Sequence, residues 1–266
     1  MKIAIIGTGN LGKSIAKGLI TNNAITSLYL TKRNLEGIAE YEGYKNVYLT
    51  TDNQKAVENS DILIFAVQPA HFEDILQEIK PKLTENHVVI STITGFGISK
   101  IEEQIGTDKF IIRAMPNTAI AVGKSMTCLC SNLQGEKRIK IAEAIFNRLG
   151  HSLSIPESQM QAATVVCASG IAFWMRLIRA TTQAAIQLGF DAKEAHELAM
   201  YTSEGAANLL IENGNHPEEE IDRVTTPQGC TIEGLNEMEH KGLSSSLIQG
   251  MVASFNKINN IKKEQI

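Results

Sequence analysis

Three glycines near the start of the chain have the spacing of a site for a phosphate-containing ligand. The run Gly7-Thr8-Gly9-Asn10-Leu11-Gly12 lies between an apolar stretch, residues 1–6, and an amphipathic stretch, residues 13–20. In such a turn the first glycine permits a tight bend, the second lets the backbone approach a pyrophosphate, and the third lets a helix pack closely on a strand. The helix N-terminus adds N–H groups and a positive dipole end. The run therefore predicts a dinucleotide-binding turn, against the alternative of a β–α turn that binds nothing.

The residues after the second predicted strand bear on the identity of the dinucleotide. Thr31-Lys32-Arg33-Asn34 occupies the place, about 20 residues beyond the glycines, where an acidic side chain would hydrogen-bond a ribose 2′-hydroxyl. A lysine–arginine pair suits a 2′-phosphate instead. The sequence therefore favours NADPH and leaves NADH as the alternative. The other interpretation is that Lys32 and Arg33 are exposed loop charges.

A second polar stretch, Thr225-Thr226-Pro227-Gln228-Gly229-Cys230-Thr231, precedes a predicted helix far along the chain. Backbone N–H groups at a helix start form an anion site, and the hydroxyls beside it can contact a polar substrate. The alternative is structural, with Thr231 as the N-cap of the helix and Pro227 stiffening the turn. The residues alone leave both interpretations open.

Alternating strands and helices position the first group of residues. Apolar runs predict eight strands, at residues 1–6, 27–31, 46–49, 61–67, 87–93, 109–114, 125–130 and 151–155. Such alternation is typical of a doubly wound α/β sheet, in which ligands bind at the carboxyl ends of the strands. Val67-Gln68-Pro69 and Met115-Pro116-Asn117 lie at two of those ends. The sequence therefore predicts a Rossmann dinucleotide-binding domain over residues 1–156.

Long helical patterns rich in small residues replace the strands from residue 157. They cover residues 159–168, 171–188 and 192–212, with Ser169-Gly170 expected to interrupt the first two, and shorter helices follow to residue 257. Their apolar positions are too many for a bundle of this size to bury alone. The sequence therefore predicts an all-helical dimerisation domain over residues 157–266.

Composition limits the class of protein. With 43% hydrophobic and 20% charged residues among 266, and a net charge of −4 without a basic block, a soluble protein that binds no nucleic acid is expected. No apolar run is expected to span a membrane, and the N-terminal run is too short for a signal peptide, so we expect a cytoplasmic protein. The four cysteines lack C-x-x-C spacing, which favours free thiols and no metal site.

Several motifs, in order, resemble the pyrroline-5-carboxylate reductase family over essentially the whole chain. They are the glycine turn, Arg113-Ala114-Met115-Pro116-Asn117-Thr118, Ala168-Ser169-Gly170, His216-Pro217 and residues 224–231. The last stretch and Met-Pro-Asn-Thr are specific to the family, whereas the glycine turn is not. The resemblance implies a Rossmann domain with a helical dimerisation domain, and homodimers that can assemble further into decamers. It also implies reduction of 1-pyrroline-5-carboxylate to L-proline by NAD(P)H, the last step of proline biosynthesis.

The resemblance also implies roles for individual residues. Thr226 and the backbone at Gly229, Cys230 and Thr231 would hold the substrate carboxylate, between the dimerisation helices of two subunits. The Thr231 hydroxyl would contact the ring nitrogen, which makes Thr231 the catalytic candidate. The expected cofactor contacts are Gly7, Thr8, Gly9, Asn10, Leu11, Gly12, Thr31, Lys32, Arg33, Val67, Gln68, Pro69, Met115, Pro116 and Asn117.

The chain departs from the family pattern at Gln68, Ile171, Phe173 and Gln228, where Lys, Pro, Tyr and Gly are usual. Gln228 matters most, because a Cβ there would be strained if the turn needs a positive φ. Gly229 is then expected to take the sharpest angle. The departures at Gln228 and Ile171 keep a non-catalytic NADP(H)-binding sensor on the same scaffold open as an alternative. The layout of a Rossmann domain followed by helices leaves a hydroxyacid dehydrogenase open as well.

Overall fold

The computed structural model describes residues 1–23 and 25–264, the last four of them by their backbone only. The chain divides into two compact units. The first unit comprises Met1–Ser169 and the chain from Phe255 onward, and the second unit comprises Gly170–Ser254. Residue 156, where the sequence predicts a domain boundary, lies inside the first unit, so the exact domain limits stay a prediction.

Eight strands form one sheet in the first unit, close to their predicted positions. Their spatial order is β3-β2-β1-β4-β5-β6-β7-β8. The first six of these strands are mutually parallel and follow the Rossmann order 3-2-1-4-5-6, which confirms the predicted α/β class. The strands are β1 (Lys2–Ile6), β2 (Ser27–Thr31), β3 (Val47–Thr50), β4 (Ile62–Phe65), β5 (Val88–Ser91), β6 (Phe110–Met115), β7 (Ser125–Ser131) and β8 (Gly150–Ser154).

The last two strands run against the other six. β7 pairs antiparallel with β6, and β8 is parallel to β7. The link between β6 and β7 contains only the short 3₁₀ segment Thr118–Val122. A parallel return needs a crossover of a dozen residues or more, so this link permits only an antiparallel one.

The helices also follow the predicted pattern. Those of the sheet-bearing part lie between strands, and from residue 160 onward the described chain is helical apart from its connections. The helices are α1 (Asn10–Thr21), α2 (Asn53–Glu58), α3 (Pro69–Ile79), α4 (Ile98–Ile105), α5 (Ile139–Phe146), α6 (Met160–Ala163), α7 (Gly170–Gln187), α8 (Ala192–Asn213), α9 (Pro217–Val224), α10 (Cys230–His240) and α11 (Leu243–Glu264).

Both faces of the sheet are covered, which explains the continuous apolar runs of its strands. Along β1, Ile3 and Ile5 belong to one buried cluster, whereas Ala4 and Ile6 belong to the other. All four side chains are fully buried. The period-two alternation of a strand thus sends successive residues of one apolar run into two cores.

Ser169-Gly170 does not interrupt the helix, contrary to the sequence-based expectation. The chain winds as a π-helix over Thr164–Ser169 and joins α6 to α7, so that one helical stretch runs over Glu157–Gln187. The Thr164 hydroxyl donates to the Met160 carbonyl at 2.8 Å within this stretch. A π-turn accommodates an extra residue in a helix and is frequent at functional sites.

This long helix also corrects the expectation that no segment has transmembrane character. By length and hydropathy alone, Glu157–Gln187 could cross a membrane, and 22% of its most apolar window is buried. Trp174 and Met175 are 60% and 57% exposed. A single helix of this kind is weak evidence for a membrane span, because apolar association helices have the same composition.

Candidate active site

The turn after β1 has the geometry that its first glycine predicts. Gly7 has φ 92°, a region that side chains with a Cβ rarely adopt. A Cβ on Gly7 would overlap Val67 Cγ1 and lie 2.9 Å from the Ala66 carbonyl oxygen. The end of β4 therefore packs directly against this turn, and only glycine fits between them.

Glycine at positions 12 and 9 serves two different purposes. A Cβ on Gly12 would overlap the Gly7 carbonyl oxygen, so this glycine lets α1 approach β1 as expected. A Cβ on Gly9 would meet no described atom within 4 Å, and Gly9 has an ordinary φ of −82°. The described protein itself does not need a glycine at position 9. The open space in front of it, beside the N–H groups of Asn10, Leu11 and Gly12 at the start of α1, fits a pyrophosphate.

Hydrogen bonds between Thr31 and residues Gly7 and Thr8 hold the glycine turn in place. The Thr31 hydroxyl accepts the Gly7 N–H at 3.2 Å. The Thr31 carbonyl accepts both the N–H of Thr8, at 2.9 Å, and its hydroxyl, at 3.1 Å. Both threonines are buried. Their polar atoms thus fix the end of β2 to the turn that follows β1.

A cavity of about 620 Å³ opens beside this turn, inside the first unit. Eight of the predicted cofactor residues line it: Gly7, Thr8, Gly9, Thr31, Lys32, Arg33, Val67 and Gln68. Its other polar lining residues were not predicted as cofactor contacts: Asn34, Thr51, Asn53, His71, Asp74 and Glu78.

Lys32 and Arg33, the two basic residues after β2, lie in different environments. Lys32 lies over Gly37, and its Nζ donates to the Gly37 carbonyl at 3.4 Å. Asn34 is fixed as an N-cap, its Oδ1 accepting the Glu36 N–H at 2.9 Å. Arg33 is exposed at the cavity. Of the two cations, Arg33 is therefore the freer one to meet a phosphate.

The unpredicted residues either follow β2 and β3 or lie on α2 and α3. Asn53 begins α2 beyond β3, and its Nδ2 donates to Glu78 Oε2 at 3.0 Å. His71, Asp74 and Glu78 follow one another at helical spacing along α3. That polar stripe could have been found in the sequence, but nothing local shows that this face of α3 meets the end of β2.

The other predicted cofactor residues lie elsewhere. Gln68 is the N-cap residue of α3 and Pro69 its first residue. Met115 and Pro116 are buried at the end of β6 and, in the described chain, do not line the cavity. Asn117 connects three elements: its N–H donates to Ser125 Oγ at 3.1 Å, its Oδ1 accepts the Ala119 N–H at 2.9 Å, and its Nδ2 donates to the Cys167 carbonyl at 2.9 Å.

The second predicted group, in the second unit, forms a tight turn before α10. The Gly229 N–H donates to the Thr226 carbonyl at 2.9 Å, across Pro227 and Gln228. Gln228 has φ 59°, whereas Gly229 has φ −78°. The positive angle that the family glycine would supply is therefore present at Gln228, and the expectation that Gly229 takes the sharpest angle is wrong. Gly229 is needed for close approach, since its Cβ would overlap Thr226 Oγ1.

The start of α10 also rejects the structural alternative for Thr231. The N-cap is Gly229, without a side-chain capping hydrogen bond from the described residues, and Thr231 is the second residue of the helix. Thr226, Cys230 and Thr231 are all exposed. The Thr231 hydroxyl is thus presented outward at a helix N-terminus, the position that suits an anionic ligand.

The residues 1–23 and 25–264 contain no group of three or more His, Cys, Asp or Glu side chains suited to a metal ion.

A Rossmann sheet with a ligand-sized cavity at its glycine turn defines a dinucleotide-binding oxidoreductase. Two family models agree: the one described as NADP oxidoreductase coenzyme F420-dependent matches residues 2–95, and the one described as pyrroline-5-carboxylate reductase dimerisation matches residues 157–261.

Curated relatives extend over nearly the whole chain. Pyrroline-5-carboxylate reductase 1 of Dictyostelium discoideum is 46% identical over 96% of this chain, which spans 49% of that relative's length. Pyrroline-5-carboxylate reductase 2 of the same organism is 40% identical over 97% of this chain and 96% of the relative. The chain belongs to the pyrroline-5-carboxylate reductase family.

Solved structures show the same fold. The pyrroline-5-carboxylate reductase of Coxiella burnetii is 29% identical, with a TM-score of 0.90 over 97% of both chains. The pyrroline carboxylate reductase of Plasmodium falciparum, with NADP bound, has a TM-score of 0.87 over 98% of both chains at 24% identity. The Rossmann-plus-helical architecture is therefore that of the family.

Proposed function

We propose that this chain reduces 1-pyrroline-5-carboxylate to L-proline, the last step of proline biosynthesis, with NAD(P)H as the reductant. The observation that carries this proposal is the 40% identity to a relative of that name over 96% of the relative's length. The cavity beside Gly7 and Gly9 and the exposed turn before α10 supply the two kinds of site that the reaction needs.

The residue roles follow from the chemistry of the turn before α10. The substrate carboxylate is held by the Thr226 hydroxyl and by the backbone N–H groups of Cys230 and Thr231, where the helix dipole favours an anion. The Gly229 N–H closes the turn onto the Thr226 carbonyl, and the missing side chain of Gly229 leaves its backbone open to the carboxylate. The Thr231 hydroxyl orients the ring nitrogen. When bound, NAD(P)H supplies the hydride for the C=N carbon. Because a protonated imine is already electrophilic, the chain's own part is orientation, and no strong general base is required.

Measurement of NADPH absorbance with added pyrroline-5-carboxylate tests this function. We expect consumption of NADPH, and we expect Thr231→Ala to slow the reaction mainly through a higher KM for the imine. Cofactor affinity should stay nearly unchanged, and Thr231→Ser should restore most of the activity. Turnover only with a hydroxyacid would favour a dehydrogenase, whereas cofactor binding without any turnover would favour a sensor.

The cofactor preference is proposed to be for NADPH over NADH, through Arg33. Support comes from the exposure of Arg33 at the cavity and from the absence of an acidic residue at 31–34. Titration with both cofactors tests this. Arg33→Ala should weaken NADPH binding by about tenfold, or 1.4 kcal/mol, and leave NADH binding within twofold. Lys32→Ala is the comparison variant, because Lys32 is partly engaged with Gly37. An unchanged preference in both variants would reject this role.

A homodimer, with a decamer as the larger alternative, is proposed through the helices of the second unit. The family model of residues 157–261 is a dimerisation model, and large apolar side chains of α7, α8 and α11 are exposed. A second copy of the chain, rather than a membrane, would then cover them. Examples are Trp174 and Met175 on α7, Tyr201 and Ile211 on α8, and Ile248 on α11.

A cytoplasmic location is proposed as well, because the four cysteines are free thiols.

A further inference from the structure

Two cysteine thiols lie side by side in the first unit, on different elements. Cys128 is on β7, Cys167 is on the π-helical turn Thr164–Ser169, and their Sγ atoms are 3.8 Å apart. A disulfide bond has an S–S length of about 2.05 Å. The two residues are therefore free thiols in contact, 39 residues apart along the chain.

The environments of the two thiols differ in a way that suits sequential oxidation. Cys128 is 3% exposed within a core cluster, whereas Cys167 is only partly buried and can meet a small solute. The hydrogen-bonding contact with the Cys128 thiol lowers the pKa of Cys167. The same interaction, together with burial, raises the pKa of Cys128. Because Cys167 is the more accessible thiol and the thiolate is the reactive form, Cys167 is the expected nucleophile of the pair.

The element that carries Cys167 can supply the movement that a bond requires. The sulfur atoms must approach each other by roughly 1.8 Å to reach disulfide length. A rotation about χ1 of either side chain changes the sulfur position by more than this, and a π-turn can rewind locally because it contains an extra residue. β7, paired on both sides, provides the fixed partner.

We propose that Cys128 and Cys167 form a redox-active dithiol site, which a peroxide-class oxidant converts reversibly into an intramolecular disulfide. The Cys167 thiolate attacks one peroxide oxygen, giving a sulfenic acid and, with one proton, water. The Cys128 sulfur then attacks the Cys167 sulfur, and its proton leaves with the hydroxyl as a second water. The two thiols lose two electrons and two protons, and hydrogen peroxide accepts both.

One hydrogen bond links Cys167 to Asn117, which is among the expected cofactor contacts. The Cys167 carbonyl accepts the Asn117 side-chain amide at 2.9 Å, and Asn117 directly follows Met115-Pro116. Where the disulfide forms by local rewinding of the π-turn toward β7, the Cys167 carbonyl moves with it and the hydrogen bond from Asn117 is weakened. Oxidation is therefore expected to slow the reductase reaction, a consequence that rests on the proposed function, whereas the disulfide itself does not.

Peptide mapping of the full chain tests the disulfide independently of activity. The protein is treated with hydrogen peroxide, its remaining thiols are blocked with N-ethylmaleimide, and its peptides are analysed by mass spectrometry without reduction. We expect a cross-linked pair containing Cys128 and Cys167 that lacks two hydrogen atoms and disappears with dithiothreitol. If oxidation modifies Cys230 but gives no such pair, the proposal is wrong.

Single variants identify the order of events. Cys130→Ser is the matched control, because Cys130 lies on the same strand and in the same core cluster, and its cross-link should equal that of the wild type. Cys128→Ser should leave a Cys167 sulfenic acid that dimedone traps, and Cys167→Ser should give neither product. A Cys128→Ser protein without trapped sulfenic acid, although folded by its melting curve, would contradict Cys167 as the nucleophile.

Activity measured on the same samples tests the link to Asn117. Oxidised wild type should lose at least half of its turnover and regain it with dithiothreitol, in parallel with the cross-link. A complete cross-link with unchanged turnover would refute the coupling through Asn117. If the reduced protein does not reduce pyrroline-5-carboxylate at all, the proposed function fails, and peptide mapping still decides the disulfide.

Discussion

Two helix-initiating turns of this chain each contain a residue with a positive φ, and the two residues are of different types. The turn before α1 has φ 92° at Gly7, and the turn before α10 has φ 59° at Gln228. The first is wedged against β4, whereas the second lies at the surface. In the first turn a side chain is excluded by both conformation and space. At Gln228 the conformation is unfavourable but the exposed side chain has space, so a residue other than glycine is tolerated there.

The turn before α1 thus restricts its residue types more strictly than the turn before α10 does. A non-glycine residue with a positive φ costs roughly 1–2 kcal/mol and persists where the surrounding structure or function requires the conformation. Gln228 thus retains an unfavourable angle within a turn closed by the Gly229–Thr226 hydrogen bond. The turn before α10 is therefore closed with a glutamine at the position of positive φ, where glycine would be free of strain.

Replacing Gly7 should produce the largest effect. Gly7→Ala adds a Cβ at φ 92° that overlaps Val67 and approaches the Ala66 carbonyl. Strain and overpacking together should lower the free energy of unfolding by roughly 2–5 kcal/mol. Urea denaturation measures the loss.

Gly9→Ala is the matched control for the same turn. Its Cβ meets no described atom within 4 Å, so the free energy of unfolding should stay within about 0.5 kcal/mol of wild type. Cofactor binding, measured by fluorescence titration, should nevertheless fall by tenfold or more, because the Cβ occupies the approach of the pyrophosphate. Unchanged cofactor affinity in Gly9→Ala would contradict the assignment of the glycine turn to the dinucleotide.

Features that depend on nearby residues could be predicted from the sequence, whereas features that depend on tertiary contacts could not. The eight strands, the glycine turn and the helical second half depend on local periodicity and spacing, and they were predicted close to their observed positions. The direction of β7 was not predicted, because it depends on pairing with β6 rather than on the composition of Ser125–Ser131. The π-turn was mistaken for a helix break, because Ser169-Gly170 has the composition of a break while packing keeps the helix continuous.

In the candidate site, too, only the residues that belong to local motifs could be predicted from the sequence. The glycine turn and the stretch after the second strand identify Gly7, Gly9 and Thr31, which the structure brings to one cavity. Asp74 and Glu78 line it only because α3 lies beside the ends of β2 and β3, a tertiary relation that no short motif encodes. Likewise, Cys128 and Cys167 have unremarkable spacing in the sequence, and only the fold brings their sulfur atoms together.

Replacing Gly229 should have an intermediate effect, confined to the second turn. Gly229→Ala places a Cβ against Thr226 Oγ1 and 3.0 Å from the Thr226 carbonyl oxygen. The exposed turn can open, so the loss of stability should be about 1 kcal/mol. The KM for the imine should rise about tenfold, corresponding to 1.4 kcal/mol, because the carboxylate loses its arrangement of N–H groups.

Gly234→Ala provides the comparison within α10. Its Cβ meets no described atom within 4 Å, and alanine favours a helix interior over glycine by about 0.5–1 kcal/mol. Thermal melting should therefore show a small gain in stability. If Gly229→Ala and Gly234→Ala had the same KM for the imine, close packing against Thr226 would not be what shapes the substrate turn.

Changes at Gln228 should have the smallest effect and decide the comparison directly. Gln228→Gly relieves the strain of φ 59° but adds freedom to the unfolded chain, and these opposing terms should leave stability within about 0.5 kcal/mol of wild type. Gln228→Ala keeps the strain and removes the amide, so it should be less stable than Gln228→Gly by several tenths of a kcal/mol, measured by urea denaturation. If the turn keeps its shape in all three proteins, the KM for the imine should agree within threefold. A large rise of KM in both variants would instead show that the Gln228 amide itself contacts substrate, and the two turns would then differ in chemistry as well as in strain.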